Sequence, residues 1–241
     1  MSSIQIGNSG TSYSGSEQDL QRWRDQFHRE HFVKFPALLS PTLLAALQQQ
    51  IQQADFRERV HEGIGDNQEL CMTDNAASAA LLFMVNDKSL FQIVQSVTGC
   101  DEIGCFQGRV YRVAGGRHHD SWHNDIGEDR LVGMSINLSS DVYSGGVLQI
   151  RDRTSGDVLS EAPNEGAGDA VLFRLSDRLQ HRITDVEGTV SKTAFAGWFR
   201  AQPDFSSLLK KETGPGTEAA LTRHDAPGLN ANALLSREIT Y

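Results

Sequence analysis

The spacing of the apolar residues changes once along this chain, and that change constrains the fold more than any other feature. Up to about residue 100 they recur at helical intervals. Leu20, Trp23 and Phe27 form one stripe, and Leu43, Leu44, Leu47 and Ile51 form another. From about Ile103 short alternating or β-branched runs take over, separated by turn signals such as Gly115-Gly116, Asp152-Arg-Thr-Ser-Gly156 and Gly166-Ala-Gly-Asp169. Helices followed by strands is the pattern of an α+β domain, with helices packed on one face of an antiparallel sheet or barrel.

Local signals place the elements. Ser14 and Glu17 have the spacing of a capping box and predict a helix over 17–31, followed by a short strand at Phe32–Phe35. Ser40-Pro41, a side-chain cap with proline at the first helical position, opens the helix that carries the second stripe. Residues 75–84 and 88–97 read as helices, and Gly99 supplies a left-handed stop. Strands are expected at 104–113, 131–138, 147–152, 170–174, 180–185 and 191–200. The Ser- and Gly-rich residues 1–16 read as a flexible N-terminus. Residues 17–203 read as a single domain, helical over 17–100 with a strand core over 101–203. Residues 204–241, with Gly214-Pro-Gly216, read as a C-terminal tail or lid. A chain of 241 residues is long enough for one such core.

Charge narrows the partners. With 22 basic against 31 acidic residues the net charge is −9, which argues against a surface built to neutralise phosphates and so against nucleic acid. The start has neither a basic nor an apolar leader segment, and no stretch is apolar for roughly 18 residues, so the expectation is a cytoplasmic protein that does not engage a membrane. Cys71, Cys100 and Cys105 form no C-x-x-C pair and read as buried small hydrophobes.

One constellation carries chemistry. His123-Asn124-Asp125 puts an imidazole and a carboxylate two residues apart, on one side of an extended chain, and His181 follows on a later predicted strand. Two imidazoles and one carboxylate form the facial triad of non-haem Fe(II) oxygenases, which leaves metal positions open. The plainer alternative puts His123 and Asp125 in a polar surface loop. His118-His119-Asp120 is a rival with the same spacing. The later pair is preferred because Trp122 flanks it and only a short loop separates it from the next strand.

The strand at 131–138 alternates: Val132, Met134, Ile136 and Leu138 share a core face, while Leu131, Gly133, Ser135 and Asn137 could line a cavity. In the last strand Lys192 shares a face with Ala194, Ala196 and Trp198. A buried ammonium there needs an anion, whereas at a strand end it would snorkel to water.

The succession Tyr111, Trp122-His-Asn-Asp125, Asn137-Leu138, Gly145-Gly146, Gly168-Asp169, His181, Lys192 and Gly197-Trp-Phe199 resembles the Fe(II)/2-oxoglutarate-dependent dioxygenase superfamily, in its prolyl-hydroxylase-like branch. The segment from Phe32 to Pro41 with its following Leu-rich helix resembles that family's opening, and the likeness extends over about residues 17–203. It implies a double-stranded β-helix, or jelly roll, with iron held by His123, Asp125 and His181. It further implies that Lys192 grips the distal carboxylate of 2-oxoglutarate, with Tyr111 and Asn137 as further co-substrate contacts. Many members carry Arg where this chain has Lys192, and Ser where it has Ala194. Lysine lacks the bidentate fork of arginine.

The resemblance implies an enzyme using Fe(II), 2-oxoglutarate and O2, with ascorbate as an accompanying reductant. It would hydroxylate or desaturate a C–H bond of an amino-acid, peptidyl or small natural-product substrate and release succinate. Asp125 fills the position that related halogenases leave for chloride. Arg109, Arg112, Arg117 and Arg151 lie on or beside the strands framing the pocket and could receive an acidic substrate. The competing expectations are a non-catalytic jelly-roll binding or sensor protein and a cupin-like metal enzyme without 2-oxoglutarate. The latter gives Lys192 no task.

Overall fold

The computed structural model describes residues 3–60, 68–73, 75–116, 120–127, 129–163 and 166–201. The C-terminal tail or lid expected at 204–241 lies outside them. In chain order the elements are β1 (Ser3–Gly7), β2 (Gly10–Ser14), α1 (Glu17–Glu30), β3 (Phe32–Phe35), α2 (Pro41–Gln52), β4 (Phe56–Val60), β5 (Gln68–Met72), α3 (Ala76–Val85) and α4 (Lys88–Thr98). Beyond residue 100 the described elements are strands: β6 (Cys105–Val113), β7 (Arg130–Asn137), β8 (Ser144–Gly145), β9 (Leu148–Asp152), β10 (Val158–Ala162), β11 (Ala170–Arg174), β12 (Leu179–Ile183), β13 (Val186–Glu187) and β14 (Lys192–Arg200).

Each helix begins where a short polar side chain satisfies its first free N–H groups. Ser40 caps α2 ahead of Pro41, Asn75 caps α3, and Asp87 caps α4, which ends on Gly99 at φ 68°. The cap of α1 is Ser16, not Ser14. Ser16 and Asp19 form the reciprocal capping box, because Ser14 is already committed to β2 opposite Ser3.

That hairpin corrects the expectation of a flexible N-terminus. Ile4 and Ile6 are buried, and Ile6 bonds through its backbone to Leu38 and Ser40. Two isoleucines removed from water stabilise by roughly 1.5–3 kcal/mol each, enough to hold a short ribbon against the domain. The helical half is also less purely helical than expected, since β4 and β5 pair with each other and β5 continues onto β6.

The strands form three layers with the helices. A seven-stranded antiparallel sheet runs in the order β3-β11-β7-β14-β6-β5-β4, and a three-stranded sheet in the order β10-β9-β12. One face of the large sheet, through Phe106, Val110, Met134, Ile136, Leu172, Phe195 and Phe199, joins the helices in the main core. The other face meets the small sheet through Val171 and Phe173 against Leu148, Ile150 and Leu179. Period-two alternation on β7 thus shows in Val132, Met134 and Ile136, which build core, and in Gly133 and Ser135, which turn toward Phe173 and the cavity, whereas Leu131 at the strand's start packs against the main core. The arrangement is the double-stranded β-helix with helices on one face. Among the described residues no helix is long and apolar enough to cross a membrane.

Candidate active site

The two sheets bring together histidines that are far apart in sequence. His123 forms a backbone bridge with His181 on the free edge of β12: His123 N–H donates to the His181 carbonyl at 3.1 Å, and His181 N–H donates back at 2.8 Å. The paired backbones set the distance between the two Cα atoms from which the imidazoles project. Trp122, just before His123, lies between the guanidinium groups of Arg151 and Arg182, 4.5 and 4.6 Å from its ring centre. Such cation–π stacks from β9 and β12 hold the segment against the small sheet.

Asp125 completes the cluster. Its Oδ2 is 3.2 Å from His181 Nε2 and 3.9 Å from His123 Nε2, and the candidate ligand atoms of the three residues all lie within 4.8 Å of one another. His123 Nδ1 sits 2.7 Å from the Ser121 carbonyl, which can only accept, so Nδ1 carries the proton and Nε2 presents its lone pair to the cluster. Trp198 Nε1–H donates to Asp125 Oδ2 at 3.1 Å. The Arg130 guanidinium stacks on the Trp198 ring at 3.7 Å and donates to the Asp125 carbonyl at 3.0 Å. Burial pushes the Asp125 carboxyl up, but the hydrogen bond and charge of His181, the charge of His123 and the Trp198 N–H outweigh it, leaving the group below its ordinary value.

Glycine makes room for this packing at one position. A Cβ on Gly133 would meet the Phe173 ring at 2.2 Å, and that ring lies 4.8 Å from the His181 imidazole. A side chain at 133 would push Phe173 into His181.

The cluster opens into a cavity of about 330 Å³ between the sheets. Lys192, 2% exposed, stands in its wall. The ammonium donates to the Gly146 carbonyl at 2.7 Å, and among the described residues no carboxylate lies within 4 Å of it. Burial pushes it down to about 8, against a pull upward from Asp120. Gly146, at φ 61°, brings its carbonyl to the lysine in a conformation that suits glycine, and a Cβ there would crowd Lys192 Cδ at 2.9 Å.

The other expected residues divide. Tyr111 lines the cavity, as does Ser135, and its hydroxyl is pushed up by burial and by Glu69. Asn137 does not line it. Its Oδ1 accepts from Ser139 N–H at 2.9 Å, and its buried Nδ2 has no partner among the described residues. Of the four arginines, Arg109 reaches the cavity, Arg112 stacks on Phe56, Arg151 is spent on Trp122, and Arg117 lies outside the described residues. His118 and His119 also lie outside them. Asp120, the carboxylate of that rival motif, is buried and structural: it accepts from Ile183 N–H at 2.8 Å and lies 3.4 Å from His123 Nδ1.

Arg130, Ser121 and the Arg59–Glu69 pair, 3.7 Å apart in the cavity wall, escaped the sequence reading. Only Trp198 had a signal, because it shares a strand face with Lys192. The cysteines are free and half-buried rather than fully buried, and Cys71 is pushed up to about 12 by burial and by Glu69, so it offers no thiolate.

Two imidazole nitrogens and a carboxylate oxygen at this spacing, one imidazole with its tautomer already fixed, suit a divalent iron. A buried ammonium that, among the described residues, has a carbonyl as its hydrogen-bond acceptor and the Tyr143 ring 5.7 Å away suits a carboxylate. Comparison with known proteins agrees. Residues 106–200, from β6 through β14, match the family model of the 2OG-Fe(II) oxygenase superfamily. No curated protein matches the sequence.

Among solved structures, a prolyl-4-hydroxylase of Pseudomonas putida superposes with a TM-score of 0.57 at 18% identity, spanning 76% of this chain and 99% of that one. A Trichoplax adhaerens prolyl hydroxylase, solved with a hypoxia-inducible-factor peptide fragment, superposes at 0.57 and 16%, spanning 78% and 94%. SnoN, a non-haem α-ketoglutarate-dependent epimerase of nogalamycin biosynthesis, superposes at 0.54 and 13%, spanning 90% and 97%. Identities this low carry the fold alone, whereas the family match covers the sequence that holds the cluster. Residues 106–200 are thus similar to the 2OG-Fe(II) oxygenase superfamily, and that match together with the three-donor cluster supports an oxygenase that works with Fe(II), 2-oxoglutarate and O2.

Proposed function

We propose that His123, Asp125 and His181 hold the Fe(II), that Lys192 takes the distal carboxylate of 2-oxoglutarate, and that the enzyme hydroxylates or desaturates a C–H bond of an amino-acid, peptidyl or small natural-product substrate. The supporting observation is the juxtaposition of a three-donor cluster with a buried ammonium in one cavity wall. With iron and 2-oxoglutarate bound, the site gains an O2-dependent oxidant as the co-substrate is decarboxylated to succinate.

The chain's own work is positional. The His123–His181 backbone bridge sets the spacing of the two segments that carry the imidazoles, Trp198 Nε1–H holds the Asp125 carboxylate, and Arg130 holds the Asp125 backbone carbonyl with its guanidinium 3.6 Å from Oδ1. Lys192 neutralises a carboxylate at a depth where water cannot, and Tyr111, on the same wall, is placed to orient it. Leu148, Phe173 and Ile183 keep the metal side of the cavity apolar, which limits water near the reacting carbon. Asp125 occupies the coordination position that chloride would need, which favours hydroxylation or desaturation over halogenation. A peptidyl or amino-acid substrate accords with the prolyl-hydroxylase fold likeness, and a cytoplasmic setting accords with three free thiols.

Anaerobic addition of Fe(II) and 2-oxoglutarate should produce the weak visible charge-transfer band of an iron–keto-acid chelate. His123→Ala and Asp125→Ala should abolish it, and His118→Ala should retain it. The reverse pattern would move the metal to the earlier motif. A band without succinate formation across substrate candidates would favour a sensor protein. Iron binding without any 2-oxoglutarate response would favour a cupin-like enzyme.

A further inference from the structure

Among the described residues the cavity walls contain four lysine or arginine side chains, and three are already committed. Lys192 donates to Gly146, Arg130 is held by Asp125 and the Trp198 ring, and Arg59 faces Glu69. Arg109 is the exception: it has no hydrogen bond, ion pair or ring contact with any described residue. It is exposed, which places it where the cavity meets solvent, and it points to the same side of β6 as Tyr111.

Its surroundings leave space for a ligand. On β14 the residue opposite Arg109 is Ala196, and opposite Ala196 on β7 is Ser135. Small side chains therefore line the wall from Arg109 across the sheet, and Trp198, the next inward residue of β14, reaches the metal cluster. A molecule with one end at Arg109 would carry its middle over Ala196 toward the iron ligands, apart from the wall that holds Lys192.

We infer that Arg109 is the recognition residue for the primary substrate and that it receives a single carboxylate, so the substrate class is a carboxylic acid. This rests on the iron site proposed above. A guanidinium presents paired N–H donors matching the two oxygens of a planar oxyanion. One arginine balances one negative charge. The carboxylates of Glu69, Asp120 and Asp125 in the same walls oppose a second, which favours a carboxylate over a phosphate. A chain of net charge −9 that places at its cavity mouth a guanidinium with no partner among the described residues has a local field attractive to an anion that its overall charge would repel.

The test uses the full chain loaded anaerobically with Fe(II) and 2-oxoglutarate, titrated calorimetrically with the N-acetyl-L-amino acids and their primary amides as matched probes. At least one free acid should bind about tenfold more tightly than its amide, with that preference weakening as salt rises. Arg109→Ala should erase the preference, Arg109→Lys should restore part of it, and both should still form the charge-transfer band. The inference is overturned if no acid outbinds its amide, if Arg109→Ala keeps the preference, or if Arg109→Ala raises the 2-oxoglutarate requirement as Lys192→Ala does. Absence of the band in wild-type protein overturns the iron site and this inference together. A band with no acid preference overturns this inference alone.

Discussion

The two faces of the seven-stranded sheet are built from the same strands, residue by alternate residue, and they do opposite work. On β14, Phe195 and Phe199 turn toward the helices and are fully buried among Phe91 and Phe106, with ring centres 4.9–5.9 Å apart. Their neighbours Lys192, Ala196 and Trp198 face the cavity, where they provide a cation, space and an N–H donor. Stability is concentrated on the helix face through buried aromatic surface, and chemistry is concentrated on the cavity face through polar groups that the fold holds at some cost. Damage to one face should therefore leave the other largely intact.

The sharpest break of that comparison is Asp125→Ala. It should abolish Fe(II) binding and succinate formation while costing about 1–3 kcal/mol of stability, because Trp198 Nε1–H loses its acceptor and the His181 imidazole its charged partner. Metal titration and denaturant melts of the same sample decide it. Phe195→Ala on the opposite face should cost about 3–5 kcal/mol of stability, yet at low temperature the folded fraction should bind 2-oxoglutarate as wild type does. A large co-substrate defect in that fraction would mean the two faces are not separable.

Lys192 sharpens the comparison through pH. Its folded value lies near 8 against an ordinary 10.5, so between those limits the unfolded chain binds more protons and stability rises with pH. Measured against Lys192→Met by melts at each pH, ligand-free wild type should gain up to about 3 kcal/mol across that window. Affinity for 2-oxoglutarate should move the other way, falling as pH passes 8 and the ammonium is lost. A wild-type-to-Met difference that stays constant with pH would show that the amine is not held in the dry wall. Trp198→Phe has the smallest expected effect. It keeps a ring for Arg130 but loses the N–H to Asp125, and Fe(II) affinity should fall about 10- to 100-fold with little change in the melt.

Much of this was legible in the chain because it depends on local rules. Ser40-Pro41 and Gly99 fixed helix ends, and the alternation on β7 and β14 announced two-faced strands, since a side chain's face follows from its parity. The His-x-Asp pair carried its own geometry, as did Lys192 on a face otherwise free of charge. Where sequence reading failed, the deciding contact was distant. The N-terminal hairpin looked like a polar tail because the surface that buries Ile4 and Ile6 belongs to other elements. The strands β4 and β5, with Arg59 and Glu69, received no assignment from sequence because β6, onto which β5 pairs, lies more than thirty residues further on.

The amino-acid order by itself determined the strand and helix periods, the cap positions and the three chemical groups able to share an ion. Tertiary structure alone decided which of several charged side chains face the cavity, that Asn137 turns to Ser139 while Tyr111 stays in the wall, and that Arg109 rather than Arg112 or Arg151 has no partner among the described residues. The physical reason is that parity and capping are fixed within a few residues of backbone. Burial and pairing of a charge depend on surfaces that arrive from elsewhere in the chain.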